Sequence, residues 1–156
     1  MFKAIHLTVI ILFLCTTANS QTVAGKWEGY FVTDFVNGDL VLKDTTYFEV
    51  VIKQVNAGKY SCTTYTSKFN YYAAAKADGI FDPATNKFIL KETRILEVEQ
   101  ARQSENCFME CDLSYGRAGK KEVLSGSFKG FMVKNRQDCG GGLVYLWKVR
   151  VAPKKK

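Results

Sequence analysis

Whatever chemistry this chain performs beyond its first few residues, it performs without histidine. The single histidine, His6, sits near the start, and past it the reactive side chains are carboxylates, lysines, arginines, tyrosines and the thiols of Cys62, Cys107, Cys111 and Cys139. A Ser-His-Asp or Cys-His nucleophile is therefore excluded, as is a histidine-ligated zinc site. A glycosidase built from carboxylates alone would need two acids about 5–10 Å apart in a cleft, and no catalytic residue is assigned on that basis. The thiols read better as disulfide partners than as metal ligands. Cys107-Phe-Met-Glu-Cys111 is wider than a C-x2-C knuckle, and the other two cysteines lie far away in the chain. Four cysteines allow three pairings, and spacing alone does not choose among them.

Among the acids Glu92 is the most informative. Counted by twos along an extended strand, it shares a face with Phe88, Leu90, Arg94 and Leu96. If that face points inward, an acid and a base enter the interior together and could anchor a ligand carboxylate or hydroxyl. The plainer alternatives are a structural ion pair, or an inward face made of Ile89, Thr93 and Ile95 instead. Gly140-Gly141-Gly142 lacks the Lys-Ser/Thr of a phosphate loop and precedes a strand, so it reads as a turn. The chain carries a net charge of +7, and its lysines and arginines are spread along its whole length. That spread argues against a nucleic-acid partner and fits weak attraction to an anionic envelope surface. No cofactor or metal is expected.

The elements that must position these residues begin after a leader. Met1–Ser20 has a basic residue, Lys3, an apolar run from Ala4 to Cys15, and small residues Ala18 and Ser20 at the positions a signal peptidase needs. The run is too short to span a bilayer, which takes about 20 residues, so cleavage before Gln21 and a soluble, exported chain are expected. With Lys3 removed the charge becomes +6, one base fewer than the whole chain's +7. Four remaining cysteines suit the oxidising compartment that export implies. The location expected is secreted or periplasmic.

From Gln21 onward, short alternating runs are broken by turns. Trp27, Phe31 and Phe35 share one face of the first run, and Phe48, Val50 and Ile52 one face of the second. Asn56-Ala57-Gly58 reads as a hairpin turn, and Asp82-Pro83-Ala84-Thr85-Asn86 as another. Further runs cover 59–69, 71–81, 87–98, 107–115, 122–133 and 143–151. Ala73-Ala74-Ala75-Lys76-Ala77 would also propagate a helix, so 71–77 is open between helix and strand. Eight short strands with short connections predict an all-β, eight-stranded antiparallel up-and-down barrel over residues 21–152, with a basic tail at 153–156. Strand order then puts Cys107 and Cys139 at the same end of the meander, close enough to bond, leaving Cys62 and Cys111 to pair or stay free. The barrel could be hollow, because Ala73, Ala75, Gly79, Gly126 and Gly130 fall on the faces that would point in, or those small residues could simply offset bulky neighbours.

Gly25-Lys26-Trp27, at the start of the first strand, resembles the lipocalin G-x-W motif, and the later strands are similar to small exported bacterial barrel proteins of unassigned role. The resemblance implies that Trp27 closes one end of an eight-stranded barrel, with Gly25 beside it and a basic residue of the last strand, Lys148 or Arg150, packed on its ring. It also implies a non-catalytic carrier of a small apolar or amphipathic molecule, bound in the interior by Trp27, Phe31, Phe48, Val50, Leu90, Glu92, Arg94 and Phe128. The alternative is a packed barrel that acts as an extracellular protein-interaction module.

Overall fold

The alternation of the sequence becomes strand almost throughout the computed structural model, which describes residues 22–37, 40–69, 71–100 and 106–150. The leader and the basic tail lie outside the described residues. The strands are β1 (Gly25–Asn37), β2 (Leu40–Asn56), β3 (Lys59–Lys68), β4 (Tyr71–Asp82), β5 (Lys87–Gln100), β6 (Cys107–Ala118), β7 (Lys121–Met132) and β8 (Asp138–Lys148). Each pairs antiparallel with its successor. β8 returns to β1, with Lys148 opposite Trp27 and Gly142 opposite Thr33, so the sheet closes into an up-and-down barrel. Closure gives every strand two neighbours and removes the free sheet edge that a barrel-sized sheet would otherwise expose. Among the described residues no helix is long and apolar enough to cross a membrane.

One reading that the sequence leaves open is decided, and another changes. Residues 71–77 are strand: Tyr71–Ala77 pairs with Cys62–Lys68 on one side and with β5 on the other. Two flanking ladders outweigh the helix preference of a few alanines, which could have made only a turn or two of marginal helix. Gly140-Gly141-Gly142 is not a turn but part of β8, facing Phe128, Lys129 and Gly130 across the β7 ladder. A β-carbon on Gly142 would stand 1.9 Å from the Val32 carbonyl oxygen, so the glycine lets β1, β7 and β8 approach more closely than any side chain would permit.

Inward side chains grade from bulky to small and polar along the barrel. At the end where β1 begins, Val23, Trp27, Tyr60, Phe81, Phe88, Leu113, Leu124 and Leu146 form a packed core. Toward the opposite end the same strands present Thr33, Thr46, Thr66, Ala73 and Gly130. One end is therefore a plug and the other a mouth.

Candidate functional site

The plug is organised around Trp27. Its ring is fully buried, its Nε1 donates to the Val23 carbonyl at 2.8 Å, and Tyr115 meets it edge-on with ring centroids 6.3 Å apart. Lys148 lies with Nζ 5.5 Å from the Trp27 ring centroid and also donates to Glu122 at 3.2 Å. Gly25 opens β1 with a φ of 136°, and a β-carbon there would press on the Lys148 stem at 3.1 Å. Arg150 does not join this cluster; it donates instead to the Lys120 carbonyl at 3.0 Å. Burial alone would raise the Glu122 carboxyl, but hydrogen bonds from Tyr115 and Lys148 outweigh it and hold the group below the ordinary carboxylate value.

Beyond the plug the barrel is hollow. A cavity of ≈290 Å³ opens at the mouth, close to the lower limit of about 300 Å³ for small-molecule sites. Two kinds of wall enclose it. β1, β2 and β3 contribute the hydroxyls of Thr33, Thr46, Thr64 and Thr66 beside Phe31. β4 to β7 contribute Ala73, Ala75, Ile95, Val98, Met109, Phe128 and Gly130.

Glu92 is the one acid among the described residues of this lining, and it is buried, 7% exposed. Thr64 Oγ1 donates to its Oε1, and the Met109 backbone N–H donates to its Oε2 at 2.7 Å. Burial raises its carboxyl above the ordinary value, and those two donors only partly oppose the shift. The Met109 contact falls where a ladder stops. Among the described residues β5 and β6 pair from Lys87 opposite Ser114 to Lys91 opposite Glu110. Past that point the Glu92 side chain takes the place of a strand partner, satisfying an amide that would otherwise stand buried and unbonded. Among the described residues no ladder joins Thr93–Val98 of β5 to Phe108 and Met109 of β6.

Arg94 is a correction. It is exposed on the outer surface and does not share the interior with Glu92. β5 carries two bulges. Ala77 faces Glu92 but Lys76 faces Arg94, which leaves Thr93 as the extra residue, and Leu96 is extra in the same way between Ile95 and Glu97. Each bulge reverses the alternation, so the inward series runs Phe88, Leu90, Glu92, Ile95, Val98. Of the other interior candidates, Phe31 and Phe128 line the cavity with their rings 5.1 Å apart. Phe48, Val50 and Leu90 are fully or almost fully buried in the core beneath it.

Cys107 and Cys139 form a disulfide at the mouth, joining the starts of β6 and β8 across β7. Cys62 and Cys111 do not pair; both are buried free thiols. They sit on β3 and β6, strands that are not neighbours in the barrel. Burial, helped by the Asp78 charge, pushes the Cys62 thiol up to about 12, and burial beside Glu92 pushes Cys111 up as well, so neither is a ready nucleophile. Among the described residues no group of three or more His, Cys, Asp or Glu side chains could hold a metal.

Compared with protein-family models, with curated proteins and with solved structures, the chain finds no match. The site therefore has to be read from its own geometry. The threonine wall and Tyr71 at the mouth were missed as site residues in the sequence. For Thr64 and Thr66 the signal was the Thr/Tyr-rich run 59–69, whose alternation is plain but whose inward phase is not.

Proposed function

We propose that this protein is an exported, non-catalytic carrier, a lipocalin-like barrel that holds one small amphipathic molecule in the cavity at its mouth. The observation that carries the reading is the cavity of ≈290 Å³, with threonines on one side, apolar residues on the other and Glu92 at depth. A barrel packed along its whole length would leave no hollow of this size beside a buried carboxyl. Against catalysis stands the state of Glu92. Its two oxygens are engaged by Thr64 and Met109, and it is the only acid among the described residues of the lining. The leader Met1–Ser20 and the Cys107–Cys139 disulfide both favour a secreted or periplasmic location.

The test is a titration of the oxidised barrel with N-phenyl-1-naphthylamine, a nearly neutral probe whose fluorescence rises in apolar surroundings. Saturation at one probe per chain is expected, with quenching altered by Phe128→Trp. A folded barrel that shows no saturable signal would overturn the carrier reading.

A second reading, an interaction module working through its outer surface, is favoured by one feature. Tyr47, Tyr30 and Tyr145 lie in register across β2, β1 and β8, each exposed by 37% or more. Tyr30 contacts Tyr145 at 5.6 Å and Trp147 at 6.4 Å between ring centroids. Tyr30→Ser with Tyr145→Ser should leave probe binding intact, and loss of a co-purifying protein in that variant would favour the module.

A further inference from the structure

The outward turn of Arg94 removes the base that would have stood beside Glu92 in the interior. With Arg94 inside, the cavity would offer an acid and a base, and a ligand carboxylate would find a partner. With Arg94 outside, the lining among the described residues holds one carboxyl at depth, Glu92, and one ammonium, Lys68. Lys68 stands at the mouth with its charge already paired to Asp44. The groups that face Glu92 are Thr64 from β3, Met109 and the Cys111 thiol from β6, and, farther toward the mouth, the Tyr71 phenol from β4. None of them is cationic.

Each carboxylate oxygen has two acceptor positions. Thr64 occupies one on Oε1 and Met109 one on Oε2, which leaves one on each oxygen for a further donor. Thr64 itself suits either protonation state of Glu92. Its hydroxyl lies 3.4 Å from the Ala75 carbonyl oxygen, so it can donate there while accepting from a protonated Glu92, or turn its proton to a carboxylate.

We propose that the cavity selects an apolar molecule bearing a single amine, whose ammonium pairs with Glu92 while its hydrocarbon part lies against Ala75, Ile95, Val98 and Phe128. The proposal rests on the carrier reading and adds the ligand's chemical class to it. A carboxylate ligand would bring an anion against a buried acid with no interior cation to offset it. An alcohol would satisfy the free acceptor positions but gain no charge pairing. An ammonium supplies both, with up to three N–H donors for Glu92 and the neighbouring threonines. The proton balance is explicit. Where Glu92 is protonated in the empty barrel, binding of R–NH3+ expels the carboxyl proton to solvent and leaves a carboxylate–ammonium pair. Affinity therefore rises as pH rises through the ionisation of Glu92 and falls again once the free amine loses its own proton.

Calorimetry with n-octylamine, n-octanol and n-octanoate, which differ only at the head group, tests the assignment on the oxidised full barrel. Each titration is run in two buffers of different ionisation enthalpy so that released protons are counted. The expected result is n-octylamine bound about tenfold or more tighter than n-octanol, n-octanoate weakest, and, at a pH low enough that Glu92 is protonated in the empty barrel, protons released only with the amine. Glu92→Gln should bring n-octylamine down to the affinity that the same variant shows for n-octanol, without proton release. Equal affinity of wild type for n-octylamine and n-octanol, or an amine preference that survives Glu92→Gln, would overturn the amine assignment and leave the carrier reading standing. Failure of all three compounds and of the neutral naphthyl probe would remove both. Should Glu92→Gln not fold, the wild-type ranking of the three head groups still decides.

Discussion

Glu92 stands where two demands meet, since it completes the wall at the end of the β5–β6 ladder and gives the cavity its charge. A carboxyl held above its ordinary value of 4.5 is protonated more readily in the folded than in the unfolded chain. Folded protein then binds more protons over the window between 4.5 and the raised value, so the Glu92 contribution to stability declines as pH rises through that window. Glu92→Gln, uncharged at every pH, should therefore be more stable than wild type on the alkaline side, with the difference shrinking toward zero as pH falls below the raised Glu92 value. Thermal melts of both proteins from pH 4 to 9 check this, and a constant difference across the range would contradict it. Glu122 behaves with the opposite sign. Its carboxyl is held low, so its contribution is present above the ordinary carboxylate value and is lost as pH falls through the folded one.

At the scale of the element, β5 explains both what the sequence made legible and what it hid. Phe88, Leu90 and Glu92 alternate cleanly, and counting by twos places all three inside. The same count places Arg94 inside, because a bulge leaves no local mark: Thr93 and Arg94 fit a regular strand as well as a bulged one. Only the register against Lys76 and Ala77 reveals it. The glycines of β8 were hidden for a related reason, since a close approach of three strands is a tertiary fact and three glycines in a row look like a turn. Strand order, by contrast, sufficed to bring Cys107 to Cys139, because a meander fixes which strand starts share an end. The bulged stretch of β5 also makes a prediction. The Met109 amide lies beyond the last β5–β6 pair yet is bonded to Glu92, so it should exchange slowly with solvent in wild type. Glu92→Leu should speed that exchange at least about tenfold while amides of β7 and β8 hold their rates, and unchanged protection at Met109 would contradict the role given to the carboxylate. The disulfide acts on a longer element. It closes a loop of sequence separation 32 across β6, β7 and β8. Cys139→Ser should lower unfolding free energy by about 3–4 kcal/mol in denaturant melts, in line with the loop-closure cost restored to the unfolded chain.

For the whole molecule, the decisive property is that one barrel carries a plug and a hollow in series. The two ends should answer oppositely to changes of side-chain size. At the plug, Phe88 is fully buried against Tyr60 with ring centroids 6.0 Å apart, and Phe88→Ala should cost about 3–5 kcal/mol because the space it vacates cannot refill. At the hollow, Ala75 points into a cavity that already exists. Ala75→Leu adds three carbons where there is room for them, each worth about 0.8 kcal/mol if fully buried, against some loss of rotamer freedom. The expected outcome is a protein as stable as wild type or about 1 kcal/mol more so, whose saturable binding of N-phenyl-1-naphthylamine is lost. A fold that gains or keeps stability while losing its ligand is what separates a space maintained for binding from a packing defect. If Ala75→Leu instead destabilises the barrel by the about 1–3 kcal/mol typical of an overfilled core, the interior is closed in solution, and the work of the molecule moves to its outer tyrosines.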